Sequence, residues 1–249
     1  MNLIKNTFQG LFNKKSKKKM FSIITGTWNP VSGCFYDCVY CWARNLATKK
    51  LKDVPRYSKG FRPSLNENEF HKKFREGDVI FVSDMGDLFG NFVHSSWIKR
   101  VFAHISLFPE TTFLFMTKNP VRYLEFCNEI PKNSILGTTI ETTNDLFFLT
   151  EKITKAPVPS ERIKAFKKLL WDRKLLSIEP ILDFDLDLFS NWICELNPFL
   201  IYVGYDNYGY HLNEPTLKKT NKLIEIISKN SLVLKKTIRP AWFECNTTL

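Results

Sequence analysis

The sequence predicts an α/β fold, an incomplete (β/α) barrel of about six to seven parallel strands. Three observations point there. Short runs rich in Ile, Val, Phe and Thr alternate along the chain with segments of helical spacing. Several of the runs are almost continuously apolar, as strands covered on both faces are. Polar residues collect just beyond the runs, where parallel α/β folds bind ligands at the carboxyl ends of their strands. A doubly wound sheet is the alternative.

The first strand is expected over Phe21–Gly26, followed by a loop with three cysteines. The second, Asp78–Ser83, leads into Asp84, Gly86 and Asp87. Ser95-Ser96 then offers hydroxyls for a helix start, and Trp97, Val101, Phe102 and Ile105 share the apolar face. The third strand, Thr112–Thr117, delivers Thr117 and Lys118 to its end, and Asn119-Pro120 opens a short helix through Leu124. Ser134–Ile140 is the fourth and stops at Glu141. Pro159-Ser160-Glu161 leads into Ile163, Phe166 and Leu170 at helical spacing. Leu175–Pro180 is the fifth, with Glu179 near its end, and Phe189, Trp192, Ile193 and Leu196 mark the next helix. Phe199–Gly204 is the sixth and precedes Tyr205, Asp206 and Asn207. A last helix, Leu217 to Ile227, returns the chain to Leu232–Lys236. This alternation implies right-handed crossovers and a parallel sheet.

The 249 residues suffice for a sizeable core, and no apolar run approaches the roughly 20 residues of a spanning helix. Leu11-Phe12 is too short for a signal-peptide core, and lysines follow it rather than precede it. A cytoplasmic protein and a monomer are expected. Charge is uneven: residues 1–20 carry six lysines and no acid, leaving +5 of the net +11 to the rest. Residues 1–20 therefore read as a basic tail, with Ile4, Phe8, Leu11 and Phe12 permitting an interfacial amphipathic helix instead. Residues 21–249 read as a single domain. The stretch from Lys218 to Arg239 is also basic, with Glu225 its only acid. Such a balance is compatible with nucleic acid as a partner.

Three of the six cysteines, Cys34, Cys38 and Cys41, fall within eight residues. A thioredoxin-like pair needs no third cysteine, and a structural zinc site wants four ligands in two separated pairs. No second pair is present, and the nearest histidine, His71, is thirty residues on. Three thiolates at this spacing can hold three corners of an iron–sulfur cubane and leave one iron open. An open position at a metal is where a substrate or cosubstrate binds.

The segment "CFYDCVYC" matches the pattern C-x-x-x-C-x-aromatic-C, with Tyr40 in the aromatic place, and so resembles the radical S-adenosylmethionine superfamily. Together with "TGTWNPVSGC", "LLSIEPIL" and "IYVGYDN", it is similar to a branch often encoded by bacteriophages, over about residues 21–240. Spore photoproduct lyase, a DNA-repair enzyme, is a more distant likeness. The resemblance implies a partial barrel of the superfamily's type, a [4Fe–4S] cluster on Cys34, Cys38 and Cys41, and S-adenosyl-L-methionine on the open iron. One electron then cleaves the sulfonium to give a 5′-deoxyadenosyl radical. Tyr40 would lie near the adenine, and an electron donor such as flavodoxin or ferredoxin is implied.

The superfamily's Gly-Gly-Glu-like turn is replaced here by "SDMGDLFG", so Ser83, Asp84 or Asp87 would receive the methionine ammonium. Glu141 would meet the ribose or methionyl group, and Glu179 and Asp206 would complete the rim. Trp28 reads as packing, and His94, His104 and His211 lack metal-ligand spacing. The substrate class is open, with nucleic acid or a nucleotide favoured. The competing function is a non-catalytic iron–sulfur protein that binds nucleic acid.

Overall fold

Parallel strands need crossovers long enough to carry a helix, and this chain supplies them in order. In the computed structural model, which describes residues 20–246, β1 (Gly26–Trp28) and β2 (Val31–Ser32) come first, then α1 (Trp42–Asn45) and β3 (Ser64–Leu65). Next are β4 (Val79–Val82), α2 (Ser95–Ile105), β5 (Thr112–Thr117), α3 (Val121–Glu125) and β6 (Ser134–Thr139). After α4 (Asp145–Thr150) and α5 (Pro159–Lys168) follow β7 (Lys174–Ile178), α6 (Leu186–Leu196), β8 (Leu200–Val203), α7 (Leu217–Ile227) and β9 (Leu232–Lys235). Seven strands make one sheet in the order β1-β4-β5-β6-β7-β8-β9. It is parallel and does not close, so the architecture is an α/β partial barrel. The basic tail, Met20 excepted, lies outside the described residues.

Two compact units are distinguishable. The first takes the described residues up to Asp37 together with Cys41–Leu136, and the second takes Cys38–Tyr40 with the chain from Gly137 onward. In the first, Trp28 pairs in register with Val82 and Val79 with Thr112. Trp28 is fully buried, edge-on to Phe70, Phe74 and Phe113 and beside His104. Its indole N–H donates to the Glu69 carbonyl at 2.9 Å, so the ring is apolar payload with its one polar atom satisfied. Phe89 meets Phe115 and Tyr123 in edge-to-face contacts.

In the second unit, Leu200 of β8 stands between Leu175 of β7 and Leu232 of β9. α6 buries Phe189, Ile193 and Leu196, and α7 buries Leu223, Ile224 and Ile227, at roughly 1.5–3 kcal/mol per large side chain. Asp185 and Thr216 cap these helices by accepting from Leu188 N and Lys219 N. Asn197, at φ 48°, ends α6 in the left-handed conformation that asparagine tolerates.

The first strand differs from expectation. Phe21, Ile23 and Ile24 are buried but lie in turns, and pairing begins at Gly26, opposite Ile80. An apolar run reports burial, and here burial is reached without a ladder. The antiparallel pair β2·β3 is two residues long on each side, too short to show a period. α4 is likewise short; the Asn144 side chain starts it by accepting from Phe147 N at 2.9 Å.

Candidate functional site

The cysteine loop begins at a glycine that nothing can replace. Gly33 has φ +87°, and a Cβ there would sit 2.1 Å from the Arg62 carbonyl oxygen. Gly33 N donates to Met85 O at 2.8 Å and Cys34 N to Phe61 O at 3.0 Å, which pins the entry to the loop. Cys34 Sγ accepts from Tyr36 N at 3.4 Å. Asp37 turns the chain at φ 53° and pairs with Arg44. Cys41 is the N-cap of α1, its sulfur accepting from Arg44 N at 3.3 Å. Both sulfur-bearing residues pack beside an apolar cluster of Ala43, Ala47, Tyr57, Phe61 and Met85.

The middle of the loop, Cys38–Tyr40, belongs with the second unit. Val39 N donates to Ile153 O at 3.0 Å, and Cys38 Sγ lies 3.2 Å from Thr154 Oγ1. The Tyr40 hydroxyl donates to Glu141 Oε1 at 2.5 Å. Glu141 Oε2 in turn accepts from Arg162 Nη1 at 2.9 Å, and both side chains are wholly excluded from solvent. Arg162 is held further by Thr139 O at 3.0 Å and Pro157 O at 2.5 Å, with its guanidinium 5.1 Å from the Phe148 ring centre. Its Nη2 is buried with no partner. Burial first, and the Glu141 carboxylate second, push the Tyr40 phenol well above its ordinary pKa.

None of the six cysteines is in a disulfide. Among the described residues, no three His, Cys, Asp or Glu side chains are gathered closely enough to hold a single metal ion.

Beyond β4, Ser83 is buried at φ 57°, and its Oγ has no hydrogen-bond partner. Asp84 accepts from Asn29 Nδ2 at 2.6 Å, and burial raises its pKa despite that bond. Asp87 accepts from Thr117 Oγ1 at 2.7 Å, Lys118 N at 2.9 Å and Phe89 N at 3.1 Å. Burial raises its pKa too, against those three bonds, and they make Asp87 the tie between the β4 and β5 ends.

In the second unit, Glu179 follows β7 and takes the Lys236 ammonium at 2.5 Å, just past β9. Gly204 leaves room for this pair, since a Cβ there would meet Lys236 Cβ at 3.1 Å and Glu179 Oε1 at 3.4 Å. Asp206 is buried and accepts from Tyr208 N at 3.0 Å and Tyr210 N at 2.7 Å, which makes it the builder of its own turn.

The expected residues thus group as Ser83, Asp84 and Asp87 on one turn, and Tyr40 with Glu141 in direct contact. Glu179 and Asp206 sit at neighbouring strand ends with separate partners. Arg162 and Lys236 were not foreseen. A signal existed for Arg162: it stands four residues before Phe166 on the buried face of α5, where a cation requires a carboxylate.

The profile of one protein family, described as "Protein of unknown function (DUF5131)", matches residues 21–195. No curated protein matches the chain. Among solved structures, a spore photoproduct lyase with a single cysteine substitution aligns over 94% of this chain and 94% of its own, at 9% identity and a TM-score of 0.57. A doubly substituted spore photoproduct lyase with bound AdoMet and dinucleoside spore photoproduct aligns over 92% and 79%, at 9% identity and a TM-score of 0.52. A third, complexed with the dinucleoside spore photoproduct, covers 80% and 60% at 11% identity and a TM-score of 0.51. At identities this low the likeness is one of fold.

Proposed function

The chain belongs to the DUF5131 family of proteins of unknown function, and, that description assigning no activity, we propose that it is a radical S-adenosylmethionine enzyme acting as one catalytic domain over residues 21–249. The observation that carries the reading is the loop of three cysteines, Cys34, Cys38 and Cys41, spaced as the superfamily spaces them. The fold supports it, because a spore photoproduct lyase of the same fold binds AdoMet.

The donor set fits a [4Fe–4S] cluster. Thiolate sulfur is what such clusters take. Three corners of a cubane hold their ligands on separate irons, so the sulfurs need not be gathered as they would be around one ion. Cys34 and Cys41 each already accept a backbone N–H at sulfur. These three cysteines would hold the cluster. When bound, the cluster supplies an electron, and S-adenosylmethionine supplies the radical that removes a hydrogen atom from substrate.

The remaining residues divide by what the fold leaves them to do. Ser83 Oγ, buried and unsatisfied, is a group that a bound ligand would complete. Asp84 beside it supplies negative charge for an ammonium. Asp87 holds the two strand ends in place, so its role is to orient that turn. Tyr40 and Glu141 serve each other and the loop. Lys236 and Glu179 form a half-buried ion pair at the strand ends, suited to sorting a charged substrate group.

A nucleic acid or nucleotide substrate is the class we favour. The chain carries +11 overall, and the similar lyase holds a dinucleoside. An electron donor of the flavodoxin or ferredoxin kind would serve it. The test is anaerobic reconstitution with iron and sulfide, then dithionite and S-adenosylmethionine, with 5′-deoxyadenosine as readout. A well-formed cluster that yields no 5′-deoxyadenosine sinks the enzyme reading.

A further inference from the structure

We propose that Glu141 and Arg162 are positioning residues for the cysteine loop, acting through the Tyr40 hydroxyl to hold Cys38 in a preset place. The proposal rests on the cluster reading above for its purpose, but not for its geometry. Cys38–Tyr40 is a short piece of chain with three ties inside the second unit, to which it belongs: Val39 N to Ile153 O, Cys38 Sγ to Thr154 Oγ1, and Tyr40 OH to Glu141 Oε1. The first two are ordinary in strength. The third ends on a carboxylate that cannot move, because Arg162 fixes its other oxygen and is itself fixed by two carbonyls.

A charge-assisted bond of this kind is the strongest tie a hydroxyl can make. A wholly buried ion pair is costly to assemble and weak evidence for stability. Its place here, against the hydroxyl of Tyr40, which stands one residue before Cys41 and two after Cys38, gives it a task that packing alone would not require. Holding a loop in its working geometry before the ligand arrives removes the ordering cost from the binding step.

The test uses the full chain with no iron added, so that it is independent of whether a cluster forms. Tyr40→Phe keeps the ring and removes one oxygen. Cysteine alkylation is followed residue by residue by mass spectrometry, alongside thermal unfolding. The expected result is about tenfold faster labelling of Cys38 in Tyr40→Phe, as loss of a charge-assisted bond eases local opening. Cys194, on α6, should label at the wild-type rate. Unchanged labelling of Cys38 overturns the proposal, and so does an equal acceleration at Cys194, which would mean general loosening.

A second pair of variants guards against a folding defect. Arg162→Lys keeps a cation for Glu141 and should label nearer to wild type than Arg162→Met. If the two behave alike, the role of Arg162 is lost. A wild-type chain that never takes up iron would refute the cluster reading and leave these rates standing.

Discussion

Tyr40 and Glu141, 101 residues apart in sequence, share a hydrogen bond of 2.5 Å inside the second unit. On its far side the carboxylate is paired with Arg162, and neither member of that pair reaches solvent. Removing one partner therefore strands the other. Glu141→Leu should lower unfolding free energy by about 3–5 kcal/mol in urea titration. The double change Glu141→Leu with Arg162→Met should recover much of that loss, since two apolar side chains replace two charges. A double variant no more stable than the single one would contradict the account.

Gly33 is the hinge of the loop entry. Gly33→Ala adds a methyl group 2.1 Å from Arg62 O at a φ of +87°. The backbone conformation alone costs about 1–2 kcal/mol, before the clash is counted. A lower melting temperature and sharply reduced iron uptake after reconstitution are expected. Gly60 has φ +81° with nothing within 4 Å of its added Cβ, so Gly60→Ala should cost only the backbone share.

Asp84 gives a pH signature. Burial raises its folded pKa above the ordinary 3.8, so the folded chain binds the proton more tightly than the unfolded one. The stability linked to Asp84 is then full below pH 3.8 and lost as pH rises through the folded value. Asp84→Asn can still accept from Asn29 and carries no charge. Its stability relative to wild type should thus improve as pH rises from 3.8 upward, read as urea midpoints across that range. A difference that stays flat with pH would show that the carboxyl does not titrate as its burial implies.

Replacing Cys38 by Ala should abolish the cluster's visible absorbance and 5′-deoxyadenosine formation together. Cys127→Ala, at an exposed thiol, should change neither. Survival of the absorbance in Cys38→Ala would remove Cys38 from the ligand set.

For nucleic acid, the logarithm of the binding constant should fall linearly with the logarithm of salt concentration. Lys218 and Lys222 project from exposed positions on α7. If both touch phosphate, neutralising them should reduce the slope by about 0.9 each on duplex DNA. A slope that is already flat in the wild type would argue for a different partner.

The strand count and the alternation of elements were readable from apolar periodicity, because parallel strands and amphipathic helices impose it locally. Leu217–Ile227 emerged as a helix at the bounds expected. The first strand was misplaced because Phe21–Ile24 is as apolar as a strand, while the parallel register with β4 begins only at Gly26. The cysteine triplet was legible from spacing alone. Its supports were not: Arg62 O against Gly33, and Thr154 beside Cys38, come from distant chain. Glu179 and Glu141 could be seen as acids at strand ends, but their cations lie 57 and 21 residues away. Only the fold supplies those pairings.

Cys41 does two jobs with one atom. Its sulfur begins α1 by accepting from Arg44 N, and the same lone pairs are those an electrophile or an oxidant would take. Chemistry at that thiol is therefore written into the backbone. The amide of Arg44 becomes a reporter of the sulfur's condition, its proton-exchange rate expected to shift when the sulfur's lone pairs are engaged elsewhere.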